Sequence, residues 1–302
     1  MNYWEKRALE NRELTDAIEA RSFVRLNNLL KNTLDKINRE LEEFDLENIN
    51  GDLTAKEVKE LKALMKKAAS YDERDLIMQQ LYDESAKLYK YNRLEGLQIS
   101  LQARLSELTA SQQSNINSTL LKVGSSAYKF AAETFSKKYA VDLSGISRAT
   151  VQALADQTWV GSKNWSTRIW KDRQLLGKAL ETTLKEGIAR GYPLQKIARD
   201  IKLKFQTSTY NAMRLVRTET THVHEQATLR LYKDTNTDKY VYMATIDSRT
   251  STICKGLNGR QFWVKDAQPG VNMPPMHPNC RSTTAPVPNT KRLYEKYGLT
   301  NE

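Results

Sequence analysis

The residues best suited to chemistry are three histidines and two cysteines, all of which lie between residues 222 and 280. His277 and Cys280 are three positions apart, a common spacing for metal ligands. With Cys254 as a third ligand and His222 as a fourth (His224 is the alternative), they would form a Cys₂His₂ zinc site. No C-x-x-C pair accompanies them, so two free thiols that pack the loops are the alternative interpretation.

A band of polar residues interrupts an otherwise apolar helix pattern at Arg217–Glu225 (RTETTHVHE). Glu219, His222 and Glu225 recur every three residues and share one helix face, whereas His222 and His224 point in nearly opposite directions. We expect this band to hold the following loops in place, with or without a metal ion. The side chains predicted to form a structural polar cluster are Arg217, Glu219, Asp247, Arg249 and Arg281.

The same residues do not have the spacing typical of an enzyme. A nucleophilic Cys–His pair needs hydrogen-bonding contact and a third orienting group, which the spacing does not specify. The carboxylates of the region lack the clustering of a metal-dependent nuclease. The sequence also contains no P-loop and no GxGxxG motif. We therefore predict no catalytic residue and no cofactor other than the candidate zinc ion. A Cys/His/Glu-dependent nuclease or toxin-like effector is the alternative.

The elements that position these residues are mostly helical. Leu30–Phe44 and Leu94–Leu108 each carry one apolar stripe, which we expect to pack within the chain rather than in a long coiled coil. Thr54 and Glu57 fit a capping box. Lys239–Ala244 and Gln261–Val264 are predicted strands. Further helices are predicted over residues 73–108, 116–139, 170–187 and 208–233, with a polar break at Ser111–Ser118. The fold class is α+β and predominantly helical, with a long-helix N-terminal region and a C-terminal domain of helices plus a small antiparallel β element.

The stretch VDLSGIS, at residues 141–147, is the preferred domain boundary. After it, Trp159, Trp165 and Trp170 fall within a span of twelve residues, and such large aromatic side chains indicate that a compact core begins there. We predict a helical region at 1–145, a second domain at 146–290 and a charged tail at 291–302. Gly191-Tyr192-Pro193 separates two predicted helices, because glycine suits the end of the first and proline the first turn of the second. An αα-hairpin is the favoured interpretation, and a DNA-reading helix-turn-helix is the alternative.

Charge is distributed unevenly along the 302 residues, whose net charge is +11. Residues 1–100 hold 17 Lys and Arg against 20 Asp and Glu, whereas residues 101–302 hold 30 against 16. A basic portion with a balance of +14 suits an acidic partner such as double-stranded DNA, or else a solvated basic surface. No apolar run approaches the roughly 20 residues that span a bilayer, so no membrane association is predicted. The first residues have no signal-peptide core, which indicates a reducing compartment.

From Trp170 onward the order of these parts resembles the Mu F-like, phage head-morphogenesis family. The resemblance covers about residues 150–288 and rests on the order and spacing of its pieces. Those pieces are Gly191-Tyr192-Pro193, Ile197–Ile201, Arg217-Thr218-Glu219, Asp247–Thr250, Cys254, Gly259, Phe262 and Pro274–Arg281. Family members often have a further cysteine directly after the Cys-Arg pair, where this chain has Ser282. That departure removes one candidate thiolate from any metal site carried over from the family.

The resemblance implies a minor head protein of a tailed bacteriophage. Such proteins associate with the portal protein and with major capsid or scaffold proteins during assembly, and some are thought to contact or accompany the DNA. The implied location is the virion, in the capsid interior or at the portal vertex, with the host cytoplasm as the site of assembly. An enzyme or effector and a simple DNA-binding module are the alternatives.

Overall fold

The structure, a computed structural model, describes residues 1–159, 161 and 163–298. Long helices account for most of the described residues, which confirms the predominantly helical α+β class. The helices are α1 (Tyr3–Glu42), α2 (Ala55–Ala69), α3 (Leu76–Asp83), α4 (Arg93–Tyr139), α5 (Arg148–Ala155), α6 (Trp165–Ala189), α7 (Leu194–Asp234), α8 (Thr252–Leu257) and α9 (Thr290–Tyr297). Short 3₁₀ turns occur at Leu46–Asn48, Glu84–Lys90 and Val264–Asp266. No helix of the described part is both long and apolar enough to cross a membrane.

Three short strands form one antiparallel sheet in the order β2-β1-β3. They are β1 (Lys239–Met243), β2 (Gln261–Trp263) and β3 (Thr283–Val287). In the central strand Tyr240 is paired with Phe262 of β2 and with Pro286 of β3. The two sequence-predicted strands are confirmed. The third was missed because it contains Pro286, and proline is tolerated in a sheet mainly on an edge strand, the position that β3 holds.

The chain forms two compact units, each assembled from separate segments. Unit 1 contains residues 1–23, 116–165 and 213–302, and unit 2 contains residues 24–115 and 166–212. These units do not follow the expected limits at 145 and 290, because α1, α4 and α7 each contribute residues to both. The 141–147 break is present as the loop between α4 and α5. Whether 1–145 and 146–290 are independent domains stays a prediction.

Four helices supply the core of unit 2, and both predicted apolar stripes pack into it. The buried members are Leu30, Ile37, Leu41, Leu97, Leu101, Leu105, Leu108, Leu176, Leu180, Leu184, Ile197, Ile201 and Phe205. A separate core in unit 1 joins α4, α7 and α9 through Phe135, Leu231 and Leu293, with Trp4 of α1 packed against it. The first residues of the chain therefore help to hold the C-terminal segment in place.

Capping explains where several helices begin and end. Thr54 Oγ1 accepts a hydrogen bond from Glu57 N and the Glu57 carboxylate accepts one from Thr54 N, which confirms the predicted capping box. At the end of α6, Gly191 adopts φ 68°, a left-handed conformation that favours glycine. The helix that follows is 41 residues long. The arrangement is an αα-hairpin and lacks the short second helix on which the helix-turn-helix alternative depended.

The predicted break at Ser111–Ser118 was wrong, as was the end of a helix near residue 108. α4 continues through this stretch without interruption from Arg93 to Tyr139. Its polar side chains are accommodated by packing, since Gln112 and Asn115 are buried and Asn117 Oδ1 accepts a hydrogen bond from Gln152 Nε2. Tertiary contacts override the weak helix propensity of Ser and Asn here. The helix expected directly after Gly191-Tyr192-Pro193 and the helix predicted over residues 208–233 are likewise parts of one helix, α7.

Candidate metal centre

Cys254 is placed by the first turn of α8, close to the end of the central strand. Ser251 caps this short helix, with Ser251 Oγ accepting a hydrogen bond from Cys254 N at 3.2 Å. The phenol of Tyr242 in β1 donates a hydrogen bond to Cys254 Sγ at 3.2 Å. The thiol is 2% exposed. A helix cap and a strand side chain therefore fix the position of the sulfur.

His277 and Cys280 are placed by a tight turn in the loop that leads into β3. Cys280 N donates to His277 O at 3.1 Å, and Asn279 takes a left-handed φ of 63°, which Asn tolerates better than most residues. The imidazole Nδ1 lies 2.9 Å from Pro278 O, a backbone carbonyl that can only accept. This contact assigns the proton to Nδ1 and leaves the lone pair on Nε2.

The three side chains meet at one point in unit 1. His277 Nε2 lies 3.3 Å from Cys254 Sγ, and the sulfurs of Cys254 and Cys280 are 3.9 Å apart. All three ligand atoms lie within 4.8 Å of one another. Ser251 Oγ is 2.9 Å from His277 Nε2. Cys280 is fully buried, whereas His277 and Ser251 are half-buried.

The two thiols differ in acidity because they share a hydrogen bond. The contact with Cys280, followed by the hydroxyls of Ser251, Ser282 and Tyr242, lowers the pKa of Cys254, against the opposing effect of burial. The same contact and the deeper burial of the second sulfur raise the pKa of Cys280. Cys254 is therefore the more acidic of the two thiols.

The polar band of α7 ties this loop to the helix. Thr218 Oγ1 accepts a hydrogen bond from Asn279 N at 3.1 Å, and Thr221 donates to Cys280 O at 2.9 Å. Arg12 of α1 donates to the same Thr221 hydroxyl at 2.9 Å. The backbone on both sides of the Cys280 turn is therefore anchored to one helix face.

The family model described as phage Mu protein F like protein matches residues 178–285. The matched segment is similar to that family, and residues 178–285 are called the Mu F-like region. It begins within α6, ends within β3, and contains Cys254, His277, Cys280 and the whole polar band. Neither the curated proteins nor the solved structures gave a match.

Within the Mu F-like region, His222 lies away from the three-residue cluster. Its ring stacks on Trp159, with 4.6 Å between centroids and 7° between planes. Trp159 Nε1 donates to Glu219 Oε2 at 3.0 Å, so the same indole contacts two members of the polar band. His224 points the other way and contacts Thr15 Oγ1 at 2.8 Å. The structure therefore brings together three of the four predicted ligands and gives the fourth a different contact.

The five residues of the predicted polar cluster fall into separate groups. Arg281 donates to Asp247 Oδ1 at 2.6 Å, and Arg249 lies 3.6 Å from the same carboxylate. The neighbouring guanidinium holds the pKa of Asp247 well below its usual range. Arg217 instead pairs with Glu19 of α1 at 2.7 Å.

Several contacts of the region were missed in the sequence. Glu225 accepts hydrogen bonds from Thr283 and Thr284 of β3 at 2.7 and 2.8 Å, and Glu19 accepts one from Thr220 at 2.9 Å. No spacing links these pairs, which are separated by 58 or more residues. The contact of Ser282 with Cys254 was also missed, although Ser282 lies two residues after Cys280, and residues two apart in an extended chain share a face.

Proposed function

We propose that this protein is a minor capsid protein that associates with the portal and the head shell during phage assembly and remains in the virion. The observation that carries the proposal is the Mu F-like match over residues 178–285. Its partners would be the portal protein and major capsid or scaffold proteins. Assembly would take place in the host cytoplasm, and the mature protein would reside in the capsid interior or at the portal vertex.

Exposed apolar side chains support a protein partner for the Mu F-like region. Ile246 and Ile253 flank the Asp247–Ser251 turn and are 59% and 55% exposed. Two large apolar side chains beside one short turn offer apolar area that a partner could bury. We expect this turn to lie at the interface with the portal or the head shell.

Co-purification with the portal protein of the same phage genome tests the assembly role. The wild-type chain should be retained by tagged portal and should be present in purified virions. Ile246→Ser together with Ile253→Ser should reduce retention, whereas Leu76→Ser, at a 74% exposed position outside the Mu F-like region, should not. Absence from virions, together with normal head formation after deletion of the gene, would refute the proposal.

Contact with packaged double-stranded DNA is the finer part of the proposal. Residues 166–212 of unit 2 hold 10 Lys and Arg against four Asp and Glu. On α6, Lys171, Lys178 and Lys185 are exposed and seven residues apart, a spacing that places them along one side of the helix. Such a row of cations suits the phosphate backbone of DNA without reading its sequence.

The salt dependence of DNA binding tests this row of lysines. Each phosphate contact contributes roughly 0.9 to the slope of log affinity against log salt concentration. Replacing all three lysines by glutamine should therefore reduce the magnitude of that slope by about 2.7. The matched control replaces Lys59, Lys62 and Lys66, three exposed lysines of α2, and should leave that slope unchanged. Full-length protein is required because residues before 145 supply part of each core. Equal effects of the two triple variants would contradict a DNA role for α6.

A Cys–His nucleophile is the second candidate, because His277 Nε2 lies 3.3 Å from Cys254 Sγ. A catalytic thiolate must reach its substrate, and Cys254 is 2% exposed beneath three hydroxyl donors. Rapid alkylation of Cys254 by iodoacetamide in the native chain would favour the enzyme. Slow alkylation that accelerates on adding a chelator would favour a ligand role.

A further inference from the structure

We propose that Cys254, His277 and Cys280 bind one zinc ion, with Ser282 beside the fourth coordination position. Cysteine thiolates and imidazole are the ligands that structural zinc sites use. The proposal concerns side chains of unit 1 alone and is independent of the role in phage assembly.

The distances match the edges of a zinc tetrahedron. Zinc–sulfur bonds of about 2.3 Å and zinc–nitrogen bonds of about 2.0–2.1 Å give sulfur–sulfur edges of about 3.8 Å and sulfur–nitrogen edges of about 3.6 Å. The Cys254–Cys280 sulfur separation is 3.9 Å, and the Cys254–His277 separation is 3.3 Å. A disulfide needs about 2.05 Å between sulfurs, so the thiol pair would have to move much further to become one.

The imidazole is oriented as a metal ligand. Ligating histidines commonly donate their other ring N–H to a backbone carbonyl or a carboxylate, which fixes the tautomer and the ring. Pro278 O provides that acceptor for Nδ1 at 2.9 Å. The Nε2 lone pair of His277 then faces the two sulfurs.

Both sulfurs are surrounded by hydrogen-bond donors, as zinc-bound thiolates usually are. The phenol of Tyr242 and the hydroxyls of Ser251 and Ser282 contact Cys254. Backbone amides of Met276 and Ser282 contact Cys280. A divalent cation would let both sulfurs bind as thiolates, because its charge offsets the repulsion between them. The surrounding donors suit such a thiolate pair.

Ser282 occupies the side of the cluster where a fourth ligand would enter. Its side chain is 3% exposed and contacts Cys254 and the phenol of Tyr242. A cysteine at this position would therefore point a third sulfur at the same place. With serine, the fourth ligand is a water molecule or a hydroxyl.

The ion would join two segments of unit 1. One is the first turn of α8, where Ser251 Oγ lies 2.9 Å from His277 Nε2. The other is the His277–Cys280 loop, which Thr218 and Thr221 already tie to α7. Its role is thus structural, as a cross-link within the Mu F-like region.

Metal analysis of the full-length, thiol-reduced protein tests the site. Elemental analysis after purification without chelator should give about one zinc per chain. Cys254→Ser and Cys280→Ser should each lose most of it. His222→Gln, which changes a histidine outside the cluster, should retain it. Because a variant could fail to fold, cobalt titration of the wild-type chain is the second measurement. It should produce the near-ultraviolet absorption of thiolate bound to cobalt.

Ser282→Cys provides a gain-of-ligand test. The absorption per bound cobalt should rise about 1.5-fold, from two thiolates to three, and zinc should bind more tightly. An unchanged cobalt spectrum would overturn the placement of residue 282. Wild-type protein that is fully reduced yet takes up neither metal would overturn the site itself. A purified chain whose mass shows a Cys254–Cys280 disulfide that reforms after reduction would also overturn it.

Discussion

Glu225 should make the folded chain lose stability as the pH rises from about 4.5 to about 7. Its carboxyl is fully buried, and burial raises its pKa from 4.5 to about 7 against the lowering effect of the Thr283 and Thr284 hydroxyls. Below about pH 4.5 the group is protonated in both the folded and the unfolded chain. Between the two values the folded chain keeps a proton that the unfolded chain releases, so rising pH favours unfolding.

The size of the effect follows from the pKa difference. A shift of this size, at about 1.36 kcal/mol per unit, corresponds to about 3 kcal/mol in the free energy of unfolding. Glu225→Gln keeps the shape of the neutral side chain and removes the titration. We expect the variant to match the wild type near pH 4.5 and to exceed it by about 3 kcal/mol at pH 8.

His224 acts in the opposite direction. Burial, and then the charge of Arg12, lower its pKa from 6.5 to about 3. The folded chain therefore holds this ring neutral where the unfolded chain protonates it, so stability rises with pH from about 3 to 6.5. In the wild type the two slopes nearly cancel between pH 4.5 and 6.5. In Glu225→Gln only the rise from His224 remains.

Urea unfolding followed by tryptophan fluorescence, at pH 4.5, 5.5, 6.5 and 8, measures the difference between the two chains. Comparing variant with wild type at each pH cancels the contributions of titrating groups remote from residue 225. His224 is the near neighbour, with its Nε2 atom 3.8 Å from Glu225 Oε1. Glu43→Gln, at an exposed position of the loop after α1, is the matched control and should show no pH-dependent difference. A stability difference for Glu225→Gln that stays constant from pH 4.5 to 8 would refute the reasoning.

Two further substitutions probe the packing of each unit. Arg173 and Asp75 form a buried ion pair at 3.2 Å in unit 2. Arg173→Met should leave the buried Asp75 carboxylate without its counter-charge and lower the free energy of unfolding in urea by about 3–5 kcal/mol. A loss below 1 kcal/mol would show that water reaches the pair. In unit 1, a Cβ at Gly124 would lie 2.5 Å from Val151 and 3.0 Å from Val223. Gly124→Ala should therefore lower stability by about 1–3 kcal/mol by overpacking. Gly→Ala stabilises a helix where the added methyl group meets no neighbour. A raised melting temperature would therefore argue against the close approach of the two valines.

Local signals in the sequence predicted local structure well. The Thr54–Glu57 capping box, the Gly191 helix end and the Tyr- and Val-rich strand at Lys239–Met243 all depend on neighbouring residues, and all are present. The apolar stripes also packed within the chain as expected. The polar stretch within α4 was misjudged because its burial depends on side chains, such as Gln152, that are far along the sequence.

The candidate site was only partly predictable for the same reason. His277 and Cys280 are close in sequence, and their spacing identified them. Cys254 was found because the chain has so few thiols. The place of His222 is decided by Trp159, which is 63 positions earlier in the chain, and no periodicity links the two. Metal binding itself stays a prediction until the ion is measured.

The assembly of unit 1 from three separate segments has a consequence for synthesis. Trp4 packs on Phe135 and Tyr139, Arg12 bonds to Thr221, and the same core includes Leu293. A ribosome releases these residues far apart in time, so Trp4 has no aromatic partner until α4 is nearly complete, and Arg12 lacks Thr221 until later still. Nascent chains stalled short of residue 135 should therefore leave residues 3–15 open to protease or to a chaperone.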